Sequence, residues 1–258
     1  MILTRVFPTP GDPIDLSSED AREQLADLYR PPRPDWVRVN LIGSVSGSAA
    51  GSDGTSETLT NPADRALLKV IRALADVVVV GAASVRAEGY YIPRHAELAV
   101  VTGTGDLGSH LVTSTGARAS FFVLCPAAAV AKARETTAAA DAQIIVVPDE
   151  DGRMTASAIV AALRGAGFAG IVCEGGPSLA SQFVRAGVVD EVCLTTSPVL
   201  NGASAPLFGG HEFADIPVTL GDLLVDDASG VYARWVIDRE RQAGIADSTA
   251  TPAPTRAG

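Results

Sequence analysis

Apolar residues follow two rhythms along this chain. Short continuous or alternating runs read as strands: WVRVNLIGSV (36–45), DVVVVG (76–81), ELAVVT (97–102), SFFVLC (120–125), QIIVVP (143–148), AGIVCEGG (169–176), VDEVCLTTSPVL (189–200) and GVYARWVID (230–238). DVVVVG is apolar on both faces, which favours a parallel or mixed sheet covered by helices. The last run alternates at period two. Segments of helical period lie between the strands. Asn61 caps one and Pro62 takes its first position, after which Ala66, Leu67, Val70, Ile71 and Leu74 recur at helical spacing. Further helices are predicted at 17–30, 127–140, 155–167 and 177–187, and PPRPD (31–35) stops the first of them. This alternation predicts an α/β fold around one large sheet. Residues 46–58 have no apolar periodicity and much Gly and Ser, and are predicted as a long mobile loop of the kind that often carries function. Residues 1–35 read as a lead-in with a short helix, 36–240 as one domain and 241–258 as a disordered tail.

At 258 residues the chain can bury a sizeable core without disulfide or metal staples. Its formal charge is −10, from 20 Lys and Arg against 30 Asp and Glu. That balance speaks against non-specific binding to nucleic acid or a membrane surface, though local groups can still hold a phosphorylated small molecule. No apolar run approaches the roughly 18 residues of a membrane span, and the N-terminal residues show no signal pattern. Cys125, Cys173 and Cys193 are irregularly spaced, two of them inside apolar runs, and read as buried free thiols in a reduced, cytoplasmic setting.

Several motifs lack the context their chemistry needs. GTGDLG (103–108) has the dinucleotide spacing, but no long helix follows it and no acidic residue closes the next strand. His95-Ala96-Glu97 has the zinc-deaminase spacing without its cysteine pair. His95, His110 and His211 have no ligand spacing, so no metal site is expected. Two strand-end turns remain. Val80-Gly81-Ala82-Ala83-Ser84 ends a buried strand with small residues that leave room for a ligand. Glu174-Gly175-Gly176-Pro177-Ser178-Leu179 ends another and starts a helix whose free N–H groups suit an anion, or simply make a turn.

With these pieces the sequence resembles the reductase domain of the riboflavin-pathway deaminase-reductases, within the dihydrofolate reductase-like superfamily. The resemblance spans about residues 36–238. It rests on Asn40 and Ser44-Val45-Ser46-Gly47, on Thr58 to Arg72, on Gly81 to Glu88, on the Glu-Gly-Gly turn at 174–179, on Val188-Val189-Asp190-Glu191 and on Ser197 to Gly202. It implies a three-layer fold with a large mixed, mostly parallel central sheet flanked by helices. It implies NADPH as cofactor, held by Gly47, Thr58, Gly81, Ala82, Ala83, Ser84, Thr102, Gly103, Gly175, Gly176, Pro177, Ser178, Leu179 and Ala180. Glu174, Ser46 and Asn40 would serve the reaction, and Ser56, Arg72 and Glu88 would bind the substrate. The reaction implied reduces 5-amino-6-(5-phosphoribosylamino)uracil to its ribityl form, in a homodimer.

The chain departs from the family pattern in places. Its first 35 residues cannot hold a deaminase domain. Ser46 stands where the family has aspartate, and Glu88-Gly89-Tyr90 where it has Asp-Asp-Pro. Two alternatives therefore stay open: reduction of dihydrofolate or another pterin-like acceptor, which would want a buried carboxylate, and NADPH binding without turnover.

Overall fold

The structure is a computed structural model and describes residues 1–108, 112–114, 120–138, 141–202, 205–210 and 212–240. The expected tail at 241–258, together with His110 and His211, lies outside the described residues. In chain order the elements are β1 (Ile2–Phe7), β2 (Ile14–Asp15), α1 (Ala21–Tyr29), β3 (Val37–Ser44), α2 (Pro62–Ala73), β4 (Val77–Gly81), α3 (Ala82–Glu88), β5 (Tyr90–Ile92) and β6 (Glu97–Val101). They continue with β7 (Val112–Ser114), β8 (Ser120–Cys125), a short 3-10 turn (Ala127–Ala129), α4 (Val130–Thr136), β9 (Asp141–Val146), α5 (Ala156–Gly165) and β10 (Ile171–Gly175). The last are α6 (Pro177–Arg185), β11 (Glu191–Ser197), β12 (Val218–Asp226) and β13 (Val231–Ile237).

Eleven strands form one sheet in the order β2-β1-β12-β13-β11-β3-β10-β4-β6-β8-β9. From β11 to β9 every neighbouring pair is parallel, and the four pairings at the other edge are antiparallel. Period-two alternation feeds three core clusters on the two faces of the sheet. Val77 and Val79 of β4, with Ile171 and Cys173 of β10, pack under α5 and α6 through Ile159, Leu163 and Phe183. Val78 and Val80 face the opposite layer, where α3 and α4 contribute Val85 and Ala133. Val172 meets α1 and α2 through Leu25, Leu67 and Ile71. The three-layer, mostly parallel arrangement expected from the resemblance is the one found.

Local chemistry sets the helix starts. The Asn61 side chain accepts the Asp64 N–H at 2.9 Å, with Pro62 just inside the helix. Thr155 caps Ala158 at 3.1 Å in the same way. The helix expected at 127–140 is shorter, a 3-10 turn followed by α4.

The expected lead-in is a correction. Residues 1–35 are built into the sheet and core: β1 pairs β12, with Leu3 opposite Asp226, and α1 buries Ala21, Leu25 and Tyr29. β12 itself was not anticipated either.

Candidate functional site

The parallel strands bring their C-terminal ends together, where α/β sheets bind ligands. Gly175 lies opposite Val80, and Gly81 opposite Val101. Thr102 and Gly103 follow β6 directly. Thus Gly81, Thr102, Gly103 and Gly175 sit side by side on three neighbouring strands. Gly175 has φ +91°, open to glycine and strained for other residues, and its peptide bond to Gly176 is cis. The Gly176 N–H donates to Ser84 Oγ at 3.0 Å, and a Cβ on Gly176 would lie 2.8 Å from that oxygen. The two glycine turns singled out in the sequence are therefore joined in space.

At the start of α6, the N–H groups of Leu179 and Ala180 donate to Gly176 O, leaving the Ser178 N–H as the one closest to the turn. Leu179 and Ala180 are buried, and their N–H groups are taken up by Gly176 O. Gly209 presses on this turn: a Cβ there would lie 3.3 Å from Ser178 N. Beside Gly81, Ala82 is buried and Ala83 exposed. Thr102 is buried and its hydroxyl accepts the Gly105 N–H at 3.1 Å.

One ionic cluster borders these turns. Arg72 grips Glu174 with both forks, Nε to Oε1 at 2.8 Å and Nη2 to Oε2 at 2.6 Å. The Tyr90 hydroxyl also donates to Oε2, and Arg72 lies over the Tyr90 ring at 5.2 Å. Burial first, then the Glu174 charge, holds the Tyr90 hydroxyl well above its ordinary value, so it stays a donor. Asn40, Asp64 and Thr195 line a neighbouring cavity of about 10 Å³, room for one water. Asp64 accepts from the Thr60 hydroxyl at 2.6 Å. Burial chiefly, and the nearby Glu174 charge, raise its pKa above the usual carboxylate value.

The remaining predicted residues knit the loop at 46–58. Ser46 Oγ donates to Asn201 O at 2.6 Å and accepts the Asn201 N–H at 3.2 Å, so its hydroxyl ties two loops together. Gly47 has φ +83° and donates its N–H to Ser44 O at 2.9 Å. The Ser56 N–H and hydroxyl both donate to Glu88, at 3.2 Å each, pinning the loop to the end of α3. The Thr58 hydroxyl donates to Asp53 within the loop at 3.0 Å. Ser46, Ser56, Glu88 and Thr58 thus direct their hydrogen bonds to loop contacts.

Sequence reasoning missed Tyr90 and Asp64 of the Glu174 cluster, and a cavity beside it. A cavity of about 400 Å³ opens where α1 and α2 meet the turn after β5, lined by Arg22, Lys69, Arg72, Tyr91, Arg94 and His95 among others. Among the described residues none of its lining is acidic. It shares Arg72 with the Glu174 cluster. Among the described residues no three His, Cys, Asp or Glu side chains gather as metal ligands, and no helix is long and apolar enough to cross a membrane.

Comparison with known proteins places these features in context. The family model described as the RibD C-terminal domain matches residues 35–228. No curated protein matches the sequence. A solved pyrimidine reductase-like protein from Corynebacterium diphtheriae superposes with a TM-score of 0.63 at 22% identity, over 79% of this chain and 92% of that one. The riboflavin biosynthesis reductase Rib7 of Saccharomyces cerevisiae does so at 0.62 and 13% identity, over 85% of this chain and all (100%) of that one. The deaminase/5-amino-6-(5-phosphoribosylamino)uracil reductase of Thermotoga maritima gives 0.59 at 16% identity. There the match covers 85% of this chain but 62% of the longer protein. Likenesses this distant establish a shared fold.

Proposed function

The chain belongs to the RibD C-terminal domain family, and from that membership we propose that it is an NADPH-dependent reductase of a phosphorylated aminopyrimidine. The observation that carries the reading is the sharing of Arg72. One side chain joins the carboxylate at the glycine turns to an acid-free basic cavity large enough for a sugar phosphate. A substrate whose ring meets Glu174 and whose phosphate enters that cavity would satisfy both.

The residues fit a dinucleotide. Gly81 and Gly176 leave space that a Cβ would narrow, and the Ser178 N–H at the start of α6 suits a phosphate oxygen. Gly81, Ala83, Ser84, Thr102, Gly103 and the 175–180 turn would hold the cofactor, which supplies a hydride when bound. The chain's own part is positioning. The Arg72 clamp fixes Glu174 against the pyrimidine edge, and burial between α2 and the sheet keeps that edge dry. Homodimer assembly and a cytoplasmic setting belong to the same proposal.

Asp64 favours a second reading, reduction of dihydrofolate or a related pterin. It is a half-buried carboxylate beside the Glu174 cluster, where such an acceptor would want one, and burial raises its pKa above the ordinary carboxylate value. One steady-state experiment separates the readings: follow NADPH oxidation with 5-amino-6-(5-phosphoribosylamino)uracil and with dihydrofolate at equal concentration. Faster turnover of the pyrimidine is expected. Preference for dihydrofolate would install the second reading, and NADPH binding with no oxidation by either acceptor would leave only a binding protein.

A further inference from the structure

The family match begins at residue 35, and Arg22 lies ahead of it on α1. Yet Arg22 lines the same cavity as Lys69 and Arg94. None of these three cations makes an ion pair among the described residues, whereas the charge of Arg72 is matched by Glu174. The chain has 30 acidic residues and a net charge of −10, so partners are abundant elsewhere. Arg22, Lys69 and Arg94 are all exposed, so solvent screens their mutual repulsion, yet three unpaired cations around about 400 Å³ without an acidic lining among the described residues give the cavity a positive field that favours an anion. The helix carrying Arg22 is held firmly. Ala21, Leu25 and Tyr29 are buried, Tyr29 O accepts from Arg38 and Leu28 O accepts from Arg234, both arginines anchored on Glu191. The backbone at Arg22 is thus fixed, and its exposed side chain is carried to the cavity on that scaffold.

We propose that α1 completes the anion subsite of this cavity and that Arg22 is a specificity-determining residue selecting a phosphate monoester on the acceptor. The proposal rests on the reading that the cavity takes the acceptor's anionic end. A dianion matches the three cations better than a single negative charge, and a neutral sugar does not relieve their repulsion at all.

Calorimetric titration of the full chain tests this with three probes: ribose 5-phosphate, ribose and p-aminobenzoyl-glutamate. The wild-type protein is expected to bind ribose 5-phosphate and not ribose. Arg22→Gln should weaken ribose 5-phosphate roughly 5-fold, the size of an exposed charge contact, with an unchanged melting temperature. Arg22→Lys should restore most of the affinity. Arg30→Gln removes the same charge from the far end of α1, where Arg30 pairs with Asp27, and should leave binding unaltered. Equal affinity in Arg22→Gln and wild type, or equal loss in Arg30→Gln, overturns the role of Arg22. Tighter binding of p-aminobenzoyl-glutamate than of ribose 5-phosphate overturns the phosphate assignment. Failure of the wild-type protein to bind any of the three removes the cavity reading itself, and the proposal with it.

Discussion

Glu174 shows how much one side chain can organise. Three donors meet its carboxylate, and its side chain is 6% exposed. Glu174→Gln keeps the shape but replaces a charge-assisted fork with a neutral contact. It is expected to lower kcat/KM for the preferred acceptor by roughly 10- to 100-fold, or ~1.4–2.8 kcal/mol. NADPH affinity, measured by fluorescence titration, should change far less, because the proposed cofactor contacts are backbone groups after Glu174. The cysteines make a second expectation. All three are free and buried, and burial pushes the thiols of Cys173 and Cys193 up to about 12. A thiol reagent at neutral pH should therefore label none of them in the folded protein and all three in denaturant. Glu174 stood out at the end of its strand in the Glu-Gly-Gly turn, and Arg72 only through the family resemblance. Arg22, Lys69 and Asp64 did not, because a charged residue on the polar side of a helix has the same sequence pattern whether it faces water or a cavity.

Elements were legible where their signals were strong and local. The four valines of β4, the Pro177 start of α6 and the Asn61-Pro62 start of α2 each needed only a few neighbouring residues to be recognised. β1 and β12 were missed for a physical reason. ILTRVF carries an arginine and runs into prolines, and VTLGDLLVD contains Gly221 and two aspartates. Only pairing with each other and with β13 makes them strands. Within GTGDLG the second glycine is needed for packing, which its neighbours in sequence do not reveal. Gly105 has φ +74°, and a Cβ there would come within 2.3 Å of Ala129 O at the foot of α4. Gly105→Ala should cost about 2 kcal/mol or more through combined strain and overpacking. Urea unfolding would show it as a lowered midpoint with an unchanged slope.

Across the whole molecule, a buried ionic network joins the antiparallel edge to the parallel strands. Glu191 on β11 is 0% exposed and bonds Arg38 on β3 and Arg234 on β13, and Arg234 also bonds Asp222 on β12. Burial opposes ionisation of Glu191, but Arg38 and Arg234 outweigh it and hold its carboxyl below the ordinary 4.5. Asp190 is likewise depressed below 3.8: Arg33, the Val37 N–H and Arg239 overcome its burial. A depressed carboxyl stabilises the fold above its unfolded pKa, and that stability is lost as pH falls through the folded value. Urea midpoints should thus begin to drop as pH falls below about 4.5, from the contribution of Glu191. Glu191→Ala should cost ~3–5 kcal/mol near neutrality by leaving two arginines buried without their anion. The strand order also bears on synthesis. β1 is sandwiched between β2 and β12, with Leu3 opposite Asp226. At ribosomal speeds its permanent partner emerges on the order of ten to forty seconds after β1 itself. During that interval β1 has only the two-residue β2 beside it and its other edge stays open, a natural target for chaperones and for neighbouring nascent chains on the same message.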